Sequence, residues 1–108
     1  MIGRERVTLQ RNERVRQPGG GWADDWVDVA TVRMRVQPLD GFELIQAMQA
    51  GMQRPYRLEG WYRAGVTGSM RAVYHARGGD RVLDITSVSD SRDRARKLVI
   101  LANEMVVE

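Results

Sequence analysis

The sequence has no cysteine, a single histidine and a single lysine, and its longest aliphatic run, Leu98 to Ala102, is five residues. Each scarcity closes off a class of chemistry. Without cysteine there is no disulfide framework, thiolate nucleophile or cysteine-ligated zinc. A small secreted domain more often carries disulfides, so an intracellular site of folding is expected. One histidine, His75, has no His or Cys partner with which to ligate a metal, and a structural role inside a strand is expected for it. A five-residue run falls far short of the roughly 20 apolar residues needed to span a bilayer. The first residues, Met1 to Arg6, lack the apolar stretch of a signal peptide.

What the chain does carry is ordinary globular material: 43% hydrophobic and 29% charged residues in 108, enough for one domain. Its 17 basic residues against 14 acidic ones make a mixed surface with a net charge of +3. All but Lys97 of the bases are arginine. Arginine suits bidentate carboxylate pairing and protein interfaces, although GC-rich coding explains the same bias.

Period-two alternation dominates the chain. Arg6 to Arg14 reads as a strand with Val7 and Leu9 on one face. Arg16-Gln17-Pro18-Gly19-Gly20-Gly21 is expected to hold neither helix nor strand, and Val15 to Asp25, which includes Trp22, reads as a flexible hairpin arm. Trp26 to Pro38 is the clearest strand. Its alternation slips by one residue around Ala30-Thr31, the mark of a β-bulge. Within a loop from Leu39 to Arg54, Asp40 is a plausible N-cap, and Phe42, Ile45, Met48 and Met52 recur at helical spacing up to Gly51.

Further strands are expected over Gln53–Tyr62, Met70–His75, Arg81–Val88 and Arg96–Met105, with turns at Ala76–Asp80 and Ser89–Asp93. Apolar residues on both faces of the last strand suggest cover from the helix or a neighbouring subunit. The fold class is therefore mainly β: a small six-stranded β-barrel in one domain, residues 1–108, with one short helix and a Gly-rich arm.

No catalytic set emerges. Gly19-Gly20-Gly21 is not followed by Lys-Ser/Thr or a helix start, so phosphate-loop logic fails. Gly65-Val66-Thr67-Gly68-Ser69 lacks the order of a nucleophile elbow. No enzyme activity, cofactor or metal is expected. Arg54, Tyr56, Arg57, Trp61, Tyr62 and Arg63 interleave bases with aromatics, as single-strand binders do. Glu59 in their midst counts against DNA, and alternating core and surface positions explain the same residues.

Read in order, several segments resemble one family. They are Arg6-Val7-Thr8-Leu9-Gln10-Arg11, the arm closed by Trp26-Val27-Asp28-Val29-Ala30-Thr31-Val32, and Val36-Gln37-Pro38-Leu39-Asp40-Gly41 with its helix. Gly65-Val66-Thr67-Gly68-Ser69-Met70-Arg71 and Arg81-Val82-Leu83-Asp84-Ile85-Thr86-Ser87-Val88 complete the set. The chain is similar, over about Arg6 to Val99, to the head–tail joining family: the head-completion or stopper proteins of long-tailed phages and related gene transfer agents. Order and spacing carry the likeness. The turn Ala76-Arg77-Gly78-Gly79-Asp80 and the end Asn103 to Glu108 run longer than usual for that family.

The resemblance implies a virion protein of the head–tail neck, made in the bacterial cytoplasm and assembled as a six- or twelve-fold ring. A portal-adaptor protein would lie above it, a tail terminator protein below, and packaged DNA in its channel without sequence-specific binding. Such a ring retains the DNA and presents the tail-docking surface. Three candidate surfaces follow. A lateral contact would set Arg33 and Arg35 against Asp24, Asp25 and Asp28 of a neighbour, because a ring interface is heterologous. Gln17, Pro18, Gly19, Gly20, Gly21 and Trp22 would form a partner-docking arm that orders on binding. Asp40, Gln46, Gln49 and Gln53 would line the channel, where amides do not grip a polyanion as bases would. Solvated strand and helix faces explain the same residues. Another neck or tail-completion connector, or a small Arg-rich nucleic-acid-binding barrel, remains the alternative reading.

Overall fold

Val7 and Leu9 alternate with Arg6, Thr8 and Gln10, and this segment forms the first strand, β1 (Glu5–Asn12), with both aliphatic side chains buried. The structure is a computed structural model and describes residues 3–61, 63–90 and 96–105. After β1 come two short strands, β2 (Val15–Arg16) and β3 (Trp22–Ala23), and then the long β4 (Trp26–Pro38). Helix α1 (Gly41–Gln49) follows, then β5 (Pro55–Trp61), β6 (Arg71–Ala76), β7 (Gly79–Asp90) and β8 (Lys97–Glu104).

Six of these strands close on themselves in the order β1-β4-β5-β8-β7-β6, every neighbour antiparallel, with β6 completing the circle against β1. Closure gives each barrel strand a paired neighbour on both sides, although β4 meets β5 only over Arg35–Pro38 and β7 meets β6 only up to Asp84. Inside, Leu9, Met34, Leu58, Leu83 and Ile100 are the largest fully buried side chains, packed with Val7, Ala72, Ile85, Leu98 and Ala102. Cutting one of the leucines back to alanine costs on the order of 2–5 kcal/mol, a large share of a small domain's stability.

Two bulges bend the wall. Leu9 pairs with Ala30 but Gln10 with Asp28, so Val29 is the extra residue, just before the expected Ala30-Thr31 position. Ile85 pairs with Ala102 and Ser87 with Leu101, which makes Thr86 the second extra residue. Such insertions curve a strand in the way that barrel closure requires.

Several boundaries differ from the sequence-based expectation. β1 ends at Asn12, and one further backbone bond, from the Glu13 amide to the Asp25 carbonyl at 2.7 Å, leads into the base of the arm. Ser89 and Asp90 belong to β7, not to a turn, and pair with Val99 and Leu98, Ser89 exposed and Asp90 half-buried. The remainder of that expected turn, residues 91–93, lies outside the described residues, as does Tyr62. Ala76 and Gly79 pair directly, so the β6–β7 hairpin turns on two residues, Arg77 and Gly78.

Candidate assembly interface

Two elements project from the barrel without being needed to close it. The first is the helix-bearing loop. Helix α1 lacks β-branched residues apart from Ile45 and ends where Gly51, at φ +95°, takes the left-handed conformation. There the Met52 amide bonds to the Ala47 carbonyl and the Gly51 amide to the Met48 carbonyl, both at 3.0 Å, the Schellman pattern. Asp40 occupies the N-cap position, but its side chain makes no capping hydrogen bond.

The helix faces the barrel with Ala47, which is buried, and Leu44, which is half-buried, and its packing partner is β5. The apolar stripe at helical spacing points the other way: Phe42, Ile45 and Met48 are 72%, 54% and 56% exposed. Spacing found the stripe but not its direction. A period-3.6 pattern marks a face that will be covered, without saying whether its own chain provides the cover. Gln46, Gln49 and Gln53, with Asp40, are all exposed on the same loop.

The base of this loop is held more firmly than its tip. Asn103 Oδ1 accepts from the amides of Gln53 and Arg54 at 3.0 and 2.8 Å, and the Glu104 amide bonds to the Arg54 carbonyl at 2.9 Å. The nearly buried Glu104 carboxylate accepts from Arg81 at 3.1 Å and is approached by Arg54 and Tyr56 at 3.4 Å. Arg81 is held more strongly protonated by its hydrogen bond to Glu104, followed by the Tyr56 and Glu104 charges. On the helix itself, Glu43 is ion-paired with Arg57 of β5.

The second projecting element is the arm. Val15 pairs with Ala23 and Arg16 with Trp22, and the turn between them is closed by the Gln17 amide on the Gly21 carbonyl at 3.0 Å. Gly20 and Gly21 sit at φ +90° and +80°, which explains the glycine run. Trp22 is 61% exposed, beside Arg16 on the ribbon. Asn12 ties the arm's base, donating to Asp24 Oδ1 at 2.9 Å and accepting from the Asp25 amide at 3.1 Å.

The five charged residues read as a lateral contact separate into two places. Asp24 and Asp25 lie at the foot of the arm. Asp28, Arg33 and Arg35 share the outer face of β4, because the Val29 bulge switches the parity of the strand between them. Asp28 accepts from Gln10 at 2.8 Å, and Arg33 donates to the Arg4 carbonyl at 2.9 Å. Gln10 also accepts from Arg71 at 2.7 Å, whose guanidinium lies 4.3 Å from the centre of the Trp26 ring.

His75 stands at the centre of a polar row that crosses four strands. Its Nδ1 lies 2.9 Å from Asp80 and its Nε2 2.7 Å from the Thr8 hydroxyl, which is 2.8 Å from that of Thr31. The geometry has the order of an acid–base–hydroxyl relay, but Thr8 is only 5% exposed and offers no attacking oxygen to a substrate. The row stitches β4, β1, β6 and β7 together. Among the described residues no group of three His, Asp or Glu side chains converges as metal ligands, and no helix is long and apolar enough to cross a membrane. Of the aromatic–basic strand, Arg57 is engaged by Glu43, Arg54 approaches Glu104, and Tyr56 turns inward toward Glu104.

Comparison with known proteins adds to this geometry. A family model described as "Phage head completion protein" matches residues 3–105. The solution structure of protein SF1141 from Shigella flexneri 2a superposes with a TM-score of 0.80 at 25% identity, covering 99% of this chain and 96% of that one. A chain in the virion of a native gene transfer agent particle has the same fold at a TM-score of 0.60 and 19% identity, with 94% of each chain covered. No curated protein matches the sequence.

Proposed function

The chain belongs to the phage head completion protein family, structural proteins of the virion, and on that premise we propose that it forms the stopper ring between the portal-adaptor complex and the tail. In this reading the ring retains packaged DNA and supplies the surface on which the tail terminator docks. The observation that carries it is the division of labour within the chain. The barrel is closed and complete, while the arm and the helix loop leave opposite ends of β4 with their largest apolar side chains uncovered. A contiguous apolar stripe left exposed, such as Phe42, Ile45 and Met48, marks an interaction surface.

The wall of mixed charge supports contact with neighbouring proteins over tight DNA binding. The loop from Val36 to Gln53 contains no lysine or arginine, so a channel lined by it would let the polyanion pass. The direct test removes Gln17 to Ala23. The shortened chain is expected to fold as a barrel, with unchanged strand signature, and to yield filled heads without tails. Normal tailed particles from that deletion, with the shortened chain in their necks, would end the proposal for the arm. Electron microscopy of the intact neck tests the ring itself.

A further inference from the structure

The two uncovered surfaces are complementary to each other, and we propose that the arm of one copy seats Trp22 on the Phe42–Ile45–Met48 face of α1 in the next copy. This rests on the ring reading above and goes beyond it by naming both sides of one subunit contact.

Charge chooses the occupant. The distal arm, residues 14–23, carries Arg14 and Arg16 and no acid, and neither arginine makes an ion pair with another described residue. The helix loop carries Asp40 and Glu43, the latter already paired with Arg57 of β5, and no base from Val36 to Gln53. Two helices meeting face to face would bring only acids together, and two arms only bases. Arm on helix brings an aromatic side chain flanked by guanidinium groups against an apolar stripe flanked by carboxylates. Tryptophan and arginine are the residue types that most often anchor protein contacts.

Placement permits a ring. The arm springs from the Asn12/Trp26 end of β4 and the helix loop from its Pro38/Pro55 end, roughly 40 Å apart along a 13-residue strand. A plug seated in the socket of the next copy, whose own plug serves a third, joins head to tail and propagates until it closes. A two-fold pair in which each arm seats on the other's helix would instead stop at a dimer when cross-linked. Within one chain the arm does not meet its own helix, which leaves both available.

The absence of cysteine gives a clean test. Gln17→Cys and Gln49→Cys, both exposed and beside the anchors, are introduced singly and together into the full chain. Each protein is oxidised in concentrated solution and within purified tailed particles. The double variant is expected to give a ladder of multimers, in solution or in the particles, and each single variant no more than a dimer. Adding Trp22→Ala to the double variant should cut the ladder about tenfold. Efficient dimers from Gln49→Cys alone would mean that helices pair with helices, and would overturn the proposal. A chain present in necks that never cross-links between the two sites would overturn it too, while leaving head completion standing. A ladder from a chain absent from necks would uphold the contact and overturn the stopper reading.

Discussion

Tyr74, partly buried against the core, shows how one side chain couples the barrel to solution conditions. Burial, followed by the charge and hydrogen bond of Glu5 at 3.4 Å, raises its phenol above the ordinary tyrosine value, with Arg81 opposing. A raised folded-state value means that the folded chain keeps this proton longer than the unfolded chain does. Its contribution is therefore full below the unfolded value of about 10 and is lost as pH rises through the folded value. Urea unfolding at alkaline pH should show a steeper loss of stability in the wild type than in Tyr74→Phe. Parallel curves for the two proteins would show that the phenol does not supply the difference. Residues such as this one were opaque in the sequence. Tyr74 alternates with its neighbours like any strand residue, and its partner Glu5 stands 69 positions away. His75 is expected to be structural from the sequence, and the row through Thr8, Thr31 and Asp80 in which it sits depends on which strands become neighbours. Alternation reports the face a residue occupies and not the strand beside it.

At the level of elements, β4 carries the most information and sets the next expectation. Its limits, Trp26 and Pro38, coincide with those read from alternation, because a proline and a long apolar–polar run mark them locally. Its bulge was visible as a slip of phase. The consequence for charge was not: the bulge puts Asp28 on the same outer face as Arg33 and Arg35, so this face presents both signs to a neighbour. If that strip forms a lateral contact, Arg33→Glu with Arg35→Glu should reduce ring formation while leaving the thermal midpoint nearly unchanged, since both side chains are exposed. Sedimentation at high protein concentration, or counting the chain in purified necks, reads the outcome. An unchanged assembly profile would assign the strip to solvent. Helix α1 shows the opposite limit: its existence and its glycine stop were legible, but the side that meets the barrel was not. Leu44 and Ala47 are less conspicuous than Phe42, Ile45 and Met48, and the barrel takes the less conspicuous pair.

Across the whole molecule, closure divides the chain into a cooperative body and two attachments. Each barrel strand is bonded on both sides, and the core residues of all six strands touch one another, so no strand can leave without opening the others. The amides hydrogen-bonded between neighbouring barrel strands should then exchange mainly through global unfolding, near the full stability of the domain. The arm has four paired residues and an exposed turn, and α1 is anchored by Ala47, Leu44 and one exposed ion pair. Their amides should exchange through local opening, far faster than the barrel's, in the isolated chain. Assembly supplies the contacts that these elements lack, so protection of residues 15–23 and 41–49 should rise on joining the neck while that of the barrel strands changes little. Hydrogen exchange followed by mass spectrometry, on the free chain and on purified particles, measures both halves of this expectation. A helix as protected as the barrel in the free chain would mean that its exposed apolar face is not required for order. Protection that stayed low in the particle would mean that neither attachment is where the partners bind.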